Sequence, residues 1–210
     1  LIFWFKEFLD KYDLHDKAQL LMHTDPKDPN GQDLEHIVNQ FGLNKRQVLL
    51  STQKLPLEVL RDLYNMVDCT INISDAEGFG LATLESISCG TPIVVNMTGG
   101  LQEQIQTAKG FCGIPLFPAS KAVIGSQQVP YIYEDRMDKD QFVSALYKIY
   151  SMGREGRKEL GMIGREHVME NYNFDDFESR WVDAMIEVHE TNGSWETRKN
   201  YNGIRFKEVA

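Results

Sequence analysis

Apolar runs and helically spaced apolar positions alternate along the first half of the chain. Short aliphatic or β-branched runs predict strands, and apolar residues three and four apart predict amphipathic helices between them. The predicted strands are 18–22, 48–52, 70–73, 92–95 and 111–115, and the predicted helices are 1–12, 33–41, 56–67, 81–88 and 101–107. Strands that alternate with helices build a parallel sheet. We therefore expect an α/β fold, a Rossmann-like parallel sheet flanked by helices, which lacks its first strand because the pattern opens with a helix.

The second half of the chain is mainly helical in pattern. Helices are predicted at 138–152, 154–172 and 174–189, with Gly153 as a break between the first two. The segment 119–138 has apolar runs of its own, which fit a hairpin, an added lid near a ligand site or a plain surface insertion. We predict one main domain over residues 1–190, which ends in a helix over 173–190, and a tail over 191–210.

A glycine-rich turn stands between the strand at 70–73 and the helix at 81–88. In parallel sheets, ligands bind where the carboxyl ends of strands meet the amino ends of helices. Gly78 and Gly80 let backbone N–H groups approach an anion such as a phosphate. Glu77 and Glu85 would repel that anion, but carboxylates accept hydrogen bonds from pairs of hydroxyl groups. A nucleotide sugar has both kinds of group, so it fits this segment.

The order of residues around this turn resembles the E-x7-E signature of retaining glycosyltransferase family 4. The resemblance is carried by Glu77-Gly78-Phe79-Gly80-Leu81, Leu84-Glu85, Cys89-Gly90-Thr91-Pro92, Gly99-Gly100 and Glu103. It implies that the chain is the C-terminal, donor-binding half of a GT-B fold, whose final helix over 173–190 crosses to the partner domain. It also implies roles for single residues: Glu77 as the catalytic-site residue that contacts the donor sugar, Gly78, Phe79, Gly80 and Leu81 as the lining of the sugar and diphosphate, Glu85 as the ribose ligand, and Thr52 and Leu55 as neighbours of the base.

The same resemblance implies a retaining transfer of a sugar from a nucleotide sugar to an acceptor that the sequence does not identify. No cofactor or metal is expected. The acceptor-binding N-terminal domain of GT-B enzymes and the basic residues that hold the diphosphate have no counterpart in this sequence, so we expect a fragment that lacks full activity alone. Two alternatives stay open: a non-catalytic nucleotide-sugar-binding module, and a sugar-nucleotide epimerase of the same fold.

Composition and single residues narrow these expectations. The formal net charge of −9 argues against nucleic acid as a partner and leaves membrane association without support. The three cysteines have no framework spacing, which favours free thiols and a cytoplasmic location. Asp75 and Glu77 form an ordinary acidic turn or, alternatively, a metal motif; no third ligand stands nearby in sequence. We interpret Cys89 as an apolar packing residue, His23 as a structural hydrogen bonder, and Lys109 as a weak substitute for the phosphate-holding residues.

Overall fold

The computed structural model of the protein describes residues 1–199, which fall into one compact unit over residues 1–168 and a second from residue 169 onward. The helices are α1 (Ile2–Tyr12), α2 (Leu34–Gln40), α3 (Leu57–Met66), α4 (Leu81–Ser88), α5 (Leu101–Ile105), α6 (Lys139–Ser151), α7 (Gly153–Asn171) and α8 (Phe174–Asn192). The strands are β1 (Leu20–His23), β2 (Val48–Ser51), β3 (Thr70–Asn72), β4 (Ile93–Asn96), β5 (Gln106–Thr107), β6 (Gly110–Phe111), β7 (Ile114–Leu116), β8 (Ser120–Ile124) and β9 (Ile132–Arg136).

The main strands pair in parallel, as the alternating pattern predicts. One sheet contains β1 and β2, with Leu20 opposite Val48, and the other has the order β3-β4-β7. Residues of β1 and β3 line a cavity of about 1320 Å³, which is also lined by residues of α1 and α6. The α/β class with parallel sheets flanked by helices is therefore confirmed.

The core of the first unit lies between the sheets and two helices that are far apart in sequence. The inner faces of α1 and α6 pack together, and Trp4 contacts Phe142 with ring centroids 5.6 Å apart. The side chains of this layer are buried: Ile2, Phe5, Phe8 and Leu9 on α1, and Phe142, Val143, Ala145, Leu146 and Ile149 on α6. At the rim, Lys139 donates to Glu7 at 3.1 Å. β4 is the central strand of its three-stranded sheet, and all four of its residues are buried.

Local chemistry sets several element ends differently from the prediction. Pro56 is the N-cap of α3 and not its first helical residue, since its ψ of 156° is extended. The helix predicted at 101–107 ends at Ile105, and the chain then forms the short β5–β6 hairpin around Lys109. The amide of Lys109 donates to the Thr107 hydroxyl, which closes this turn. Because residues 110–111 belong to that hairpin, the strand predicted at 111–115 is β7, Ile114–Leu116.

The segment 119–138 forms an antiparallel hairpin of β8 and β9, which is one of the three alternatives that its sequence allowed. In the second unit, Asn173 caps α8 by accepting from the amide of Asp176. No side chain of α8 is buried, and its apolar stripe includes the stacked rings of Phe177 and Trp181. Of the predicted tail, residues 200–210 lie outside the described residues. Within residues 1–199, no helix is long and apolar enough to cross a membrane.

Candidate functional site

The glycine-rich turn leaves the carboxyl end of β3 and enters α4 at Leu81, as the sequence predicts. Gly80 is the N-cap of α4 and has a φ of +88°, a left-handed conformation that favours glycine. Phe79 is 49% exposed, so its ring does not plug the core. Leu81 is exposed beside it at the start of the helix. The turn is therefore open to solvent at the sheet edge where α/β proteins bind ligands.

Three carbonyl groups of the turn are tied to donors on its core side. Asn96 donates from its side chain to the carbonyl of Ser74 at 2.8 Å. The backbone N–H of Gly100 donates to the carbonyl of Gly78, also at 2.8 Å. Gln104, which is 1% exposed, donates to the carbonyl of Phe79 at 2.6 Å. Because these carbonyls are engaged by the protein, the turn has a fixed backbone before any ligand arrives.

The Gly99-Gly100 pair packs directly on the backbone of the turn. A Cβ atom at Gly99 would overlap the carbonyl oxygen of Glu77, and one at Gly100 would lie 2.7 Å from that of Gly78. Gly99 also has a φ of +50°, which side-chain-bearing residues rarely adopt. This close approach is the physical reason for two glycines at these positions.

Glu77 lies half-buried in the turn and is folded back on it. Its Oε1 accepts from the backbone N–H of Gly78 at 3.1 Å. The carboxylate keeps its remaining lone pairs for other donors, since an ionised carboxylate accepts about four hydrogen bonds. A ligand that brings hydroxyl groups to this turn would find an acceptor already positioned by the backbone.

Glu85 is exposed on α4, about 6 Å along the helix axis from Leu81. The hydroxyl of Tyr64 on α3 donates to its Oε2 at 2.9 Å. Burial and this hydrogen bond raise the pKa of Tyr64, so the phenol keeps its proton and remains a donor at neutral pH. The backbone of Tyr64 is fixed in turn, because its carbonyl accepts from the Thr91 hydroxyl at 2.7 Å. Sequence reasoning missed Tyr64 as a residue of the site.

The predicted base-proximal residues lie in the loop between β2 and α3. Thr52 is exposed and Leu55 is half-buried there. At the same edge, a ring nitrogen of His23 lies 3.0 Å from the hydroxyl of Ser51, across the carboxyl ends of β1 and β2. His23 thus makes a structural hydrogen bond, as predicted. The proximity of Thr52 and Leu55 to a base stays a prediction.

Asp75 is engaged in an ion pair that sequence reasoning did not foresee. Its carboxylate accepts from Arg136 of β9 at 2.5 Å, and its carbonyl accepts from the backbone N–H of Asp135 at 2.8 Å. The basic residue beside the turn is therefore Arg136. Lys109, the nearest basic residue in sequence, lies on the β5–β6 hairpin turn. Among residues 1–199, no group of three histidine, cysteine or acidic side chains is arranged to hold a metal ion.

The three cysteines are free thiols, and their chemistry is suppressed by their surroundings. Burial raises the pKa of Cys69 to about 12 and that of Cys112 to about 11. Cys89, the C-cap of α4, is half-buried, and burial also raises its pKa. A thiol with a raised pKa is a poor nucleophile at neutral pH, in agreement with the interpretation of Cys89 as a packing residue.

The sequence around the turn matches a known family of enzymes. The family model described as glycosyl transferases group 1 matches residues 5–123, more than half of the chain, and includes the whole turn. The chain belongs to the group 1 glycosyltransferases. This membership confirms the glycosyltransferase superfamily that the motif indicated.

Individual relatives of this group 1 glycosyltransferase chain agree. A D-inositol 3-phosphate glycosyltransferase of Streptosporangium roseum is 41% identical over 59 residues, which are 28% of this chain and 13% of that protein. The fold is similar to that of a sucrose-phosphate synthase from Thermosynechococcus elongatus, with a TM-score of 0.64, 20% identity, and 89% of this chain matched to 42% of that one. It is also similar to the C-terminal domain of a group 1 glycosyltransferase, LpcC, of Francisella tularensis, with a TM-score of 0.57, 19% identity, and 82% of this chain matched to 78% of that one.

These similarities cover different shares of the chain and of its relatives. The architecture is that of the C-terminal half of GT-B glycosyltransferases, which confirms the predicted fold. The chain covers less than half of the synthase and a small part of the curated relative. The fold similarity to the synthase covers 89% of this chain, whereas the sequence match to the curated relative covers 28% of it.

Proposed function

We propose that the chain is the donor-binding half of a retaining glycosyltransferase that transfers a sugar from a nucleotide sugar to an acceptor. The observation that carries the proposal is the pre-set turn at the carboxyl end of β3, with one carboxylate on the turn and a second one, held by Tyr64, on the following helix. Two acceptors at different distances from one helix start match a ligand that has hydroxyl groups on both sides of a diphosphate.

In this proposal each group has a defined task. Glu77 accepts from hydroxyl groups of the donor sugar and orients its anomeric carbon, and Glu85 accepts from the ribose diol. The backbone N–H groups at the start of α4, an eight-residue helix, face the diphosphate, where the helix dipole favours negative charge. The backbone of Gly78 to Leu81 lines the sugar. Because these groups bind and orient the donor, they contribute through positioning.

The acceptor would be supplied by a second GT-B domain, and retention would follow from attack on the face of the sugar that the diphosphate leaves. In that route the leaving phosphate takes the acceptor proton, so the protein needs no nucleophile. We propose that this transfer needs no metal or cofactor and takes place in the cytoplasm, where free thiols persist. Nucleic acid is not a partner in this proposal. We expect the chain alone to bind the donor and to lack full activity.

Binding of nucleotide sugars tests the proposal directly. Saturation-transfer NMR of the chain with UDP-glucose, GDP-mannose and ADP-glucose should give ribose and sugar signals for at least one donor. Glu85→Ala should weaken the binding of that donor about tenfold or more, because a hydrogen bond between the ribose and a charged group is lost. Glu58→Ala on the neighbouring helix α3 serves as the control and should leave binding unchanged.

A second arm of the experiment assigns the contact to the ribose. Removal of the ribose 2′-hydroxyl from the bound donor should weaken binding to the unaltered chain and have no further effect on Glu85→Ala. If the Glu85→Ala variant binds every donor as well as the unaltered chain does, Glu85 does not contact the ribose. If no nucleotide sugar gives a signal at all, the proposed donor site is wrong for this chain.

A further inference from the structure

The β8–β9 hairpin contacts the turn at Asp75. The N–H of Asp135 and the guanidinium of Arg136 both donate to it, one to its carbonyl and one to its carboxylate. These partners lie about 60 residues away in sequence; the Arg136–Asp75 separation is 61. The contact therefore joins two segments that are far apart in sequence.

An acidic residue of the hairpin base, Glu134, also pairs with Arg136. The carboxylate of Glu134 lies 2.9 Å from the second terminal nitrogen of Arg136, within ion-pair distance. Asp135, whose side chain is 12% exposed, lies 3.7 Å from Lys121 on β8. The two terminal nitrogens of Arg136 therefore face two different carboxylates, one of which is that of Asp75.

Glu77 lies between two anchors of different origin. On one side, Gly78 is held by the core through the N–H of Gly100. On the other side, Asp75 is held by the hairpin. The four-residue segment 75–78 is held at both ends and so has little freedom, and the hairpin anchor helps to define where the Glu77 carboxylate points.

We propose that the β8–β9 hairpin positions Glu77 through the contact of Arg136 with Asp75, which makes Arg136 a positioning residue for the sugar end of the donor site. The inference rests on the proposed function, because it assigns a task to the site in which Glu77 contacts the donor sugar. It adds a residue from outside the turn and a role for the hairpin. Arg136 acts on the sugar end only, since Glu85 and Tyr64 are held by α3 and α4.

The size of the effect follows from exposure. The side chains of Arg136 and Asp75 are 38% and 42% exposed, so solvent screens their attraction. We expect Arg136→Ala to weaken binding of a nucleotide sugar about two- to fivefold. Binding of the matching free nucleoside diphosphate, which has no sugar for Glu77, should stay unchanged. Arg136 is the residue to change, because Asp75 belongs to the turn itself.

The experiment measures NMR titrations of the 210-residue chain with UDP-glucose and UDP, GDP-mannose and GDP, and ADP-glucose and ADP. Arg136→Lys should restore part of the lost affinity for the nucleotide sugar. Lys121→Ala removes the other basic residue of the hairpin base and should change the affinity for neither ligand. Equal weakening of sugar nucleotide and diphosphate in Arg136→Ala, or no weakening of either, would overturn the inference.

A ligand-free readout separates this inference from the proposed function. Without any nucleotide, Arg136→Ala should shift the backbone amide resonances of residues 75–78 and speed their hydrogen exchange, while Lys121→Ala should not. Unchanged amides in Arg136→Ala would overturn the anchoring by the hairpin even if donors bind. If the unaltered chain binds no donor but Arg136→Ala still shifts these amides, the proposed function and the role of Arg136 at the sugar end are wrong. The anchoring of the turn by the hairpin would then still hold.

Discussion

Replacing Gln104 with leucine removes one of the deeply buried supports of the turn. Gln104 is 1% exposed, and its amide donates to the carbonyl of Phe79 at 2.6 Å. Its own Oε1 is buried without a hydrogen-bond partner among the described residues. Leucine fills nearly the same space without the donor, so the substitution tests the hydrogen bond and not the packing.

The expected cost is the balance of two terms. Taking the donor away from a buried carbonyl costs about 1–3 kcal/mol of the free energy of unfolding. Removing the unpaired Oε1 from the interior returns part of that cost, because an unsatisfied buried acceptor is itself unfavourable. We therefore expect Gln104→Leu to lower the free energy of unfolding by about 1–2 kcal/mol. Donor binding should weaken as well, because the backbone at Phe79 would lose its fixed position.

Urea unfolding measures the change if the signal comes from the first unit alone. Trp4 packs on Phe142 in that core, whereas Trp181 and Trp195 lie in the second unit and are replaced with phenylalanine in every variant. Gln102→Leu on the same short helix is the matched control, since Gln102 is exposed and its bond to the Gly99 carbonyl is 3.3 Å long. A Gln104→Leu midpoint equal to that of the unaltered chain, or an equal loss in Gln102→Leu, would refute the reasoning.

Two further predictions concern the same unit. Gly99→Ala should lower the free energy of unfolding by more than about 2 kcal/mol in the same urea experiment, because it adds left-handed backbone strain and a clash with the Glu77 carbonyl. Gly78→Ala, where a Cβ would meet nothing within 4 Å, should be close to neutral, and similar costs for both would contradict this. Because burial raises the pKa of Cys69 to about 12 and of Cys112 to about 11, both stay protonated at pH 8. Iodoacetamide at that pH, followed by mass spectrometry, should label Cys89 first; early labelling of Cys69 in the folded chain would refute the burial argument.

The sequence predicted most of what depends on local spacing. Apolar periodicity located the parallel strands and most of the helices, and the order Glu-Gly-Phe-Gly-Leu located the turn between β3 and α4. Element ends were less predictable, because caps such as Pro56 and the closed turn at Lys109 depend on single hydrogen bonds and dihedral angles. Periodicity identifies the face of an element but not its hydrogen-bond partners.

The parts of the site that escaped prediction are contacts across the fold. Tyr64 meets Glu85 over a separation of 21 residues, and Arg136 meets Asp75 over 61. Gln104 is a polar residue on a short helix, yet it is buried beneath the turn. Such pairings are set by how the helices and the hairpin pack on the sheet. They become visible only when the tertiary structure is known.

The packing of α1 against α6 has a consequence for how the protein is made. Lys139 and Glu7, which join the two helices at their rim, are separated by 132 residues. At ordinary rates of synthesis a ribosome needs about 7 to 26 seconds to add that many residues. During this time the apolar face of α1, including Phe5, Phe8 and Leu9, has no α6 to cover it. The nascent chain thus presents a ready binding surface to chaperones before the first unit can close.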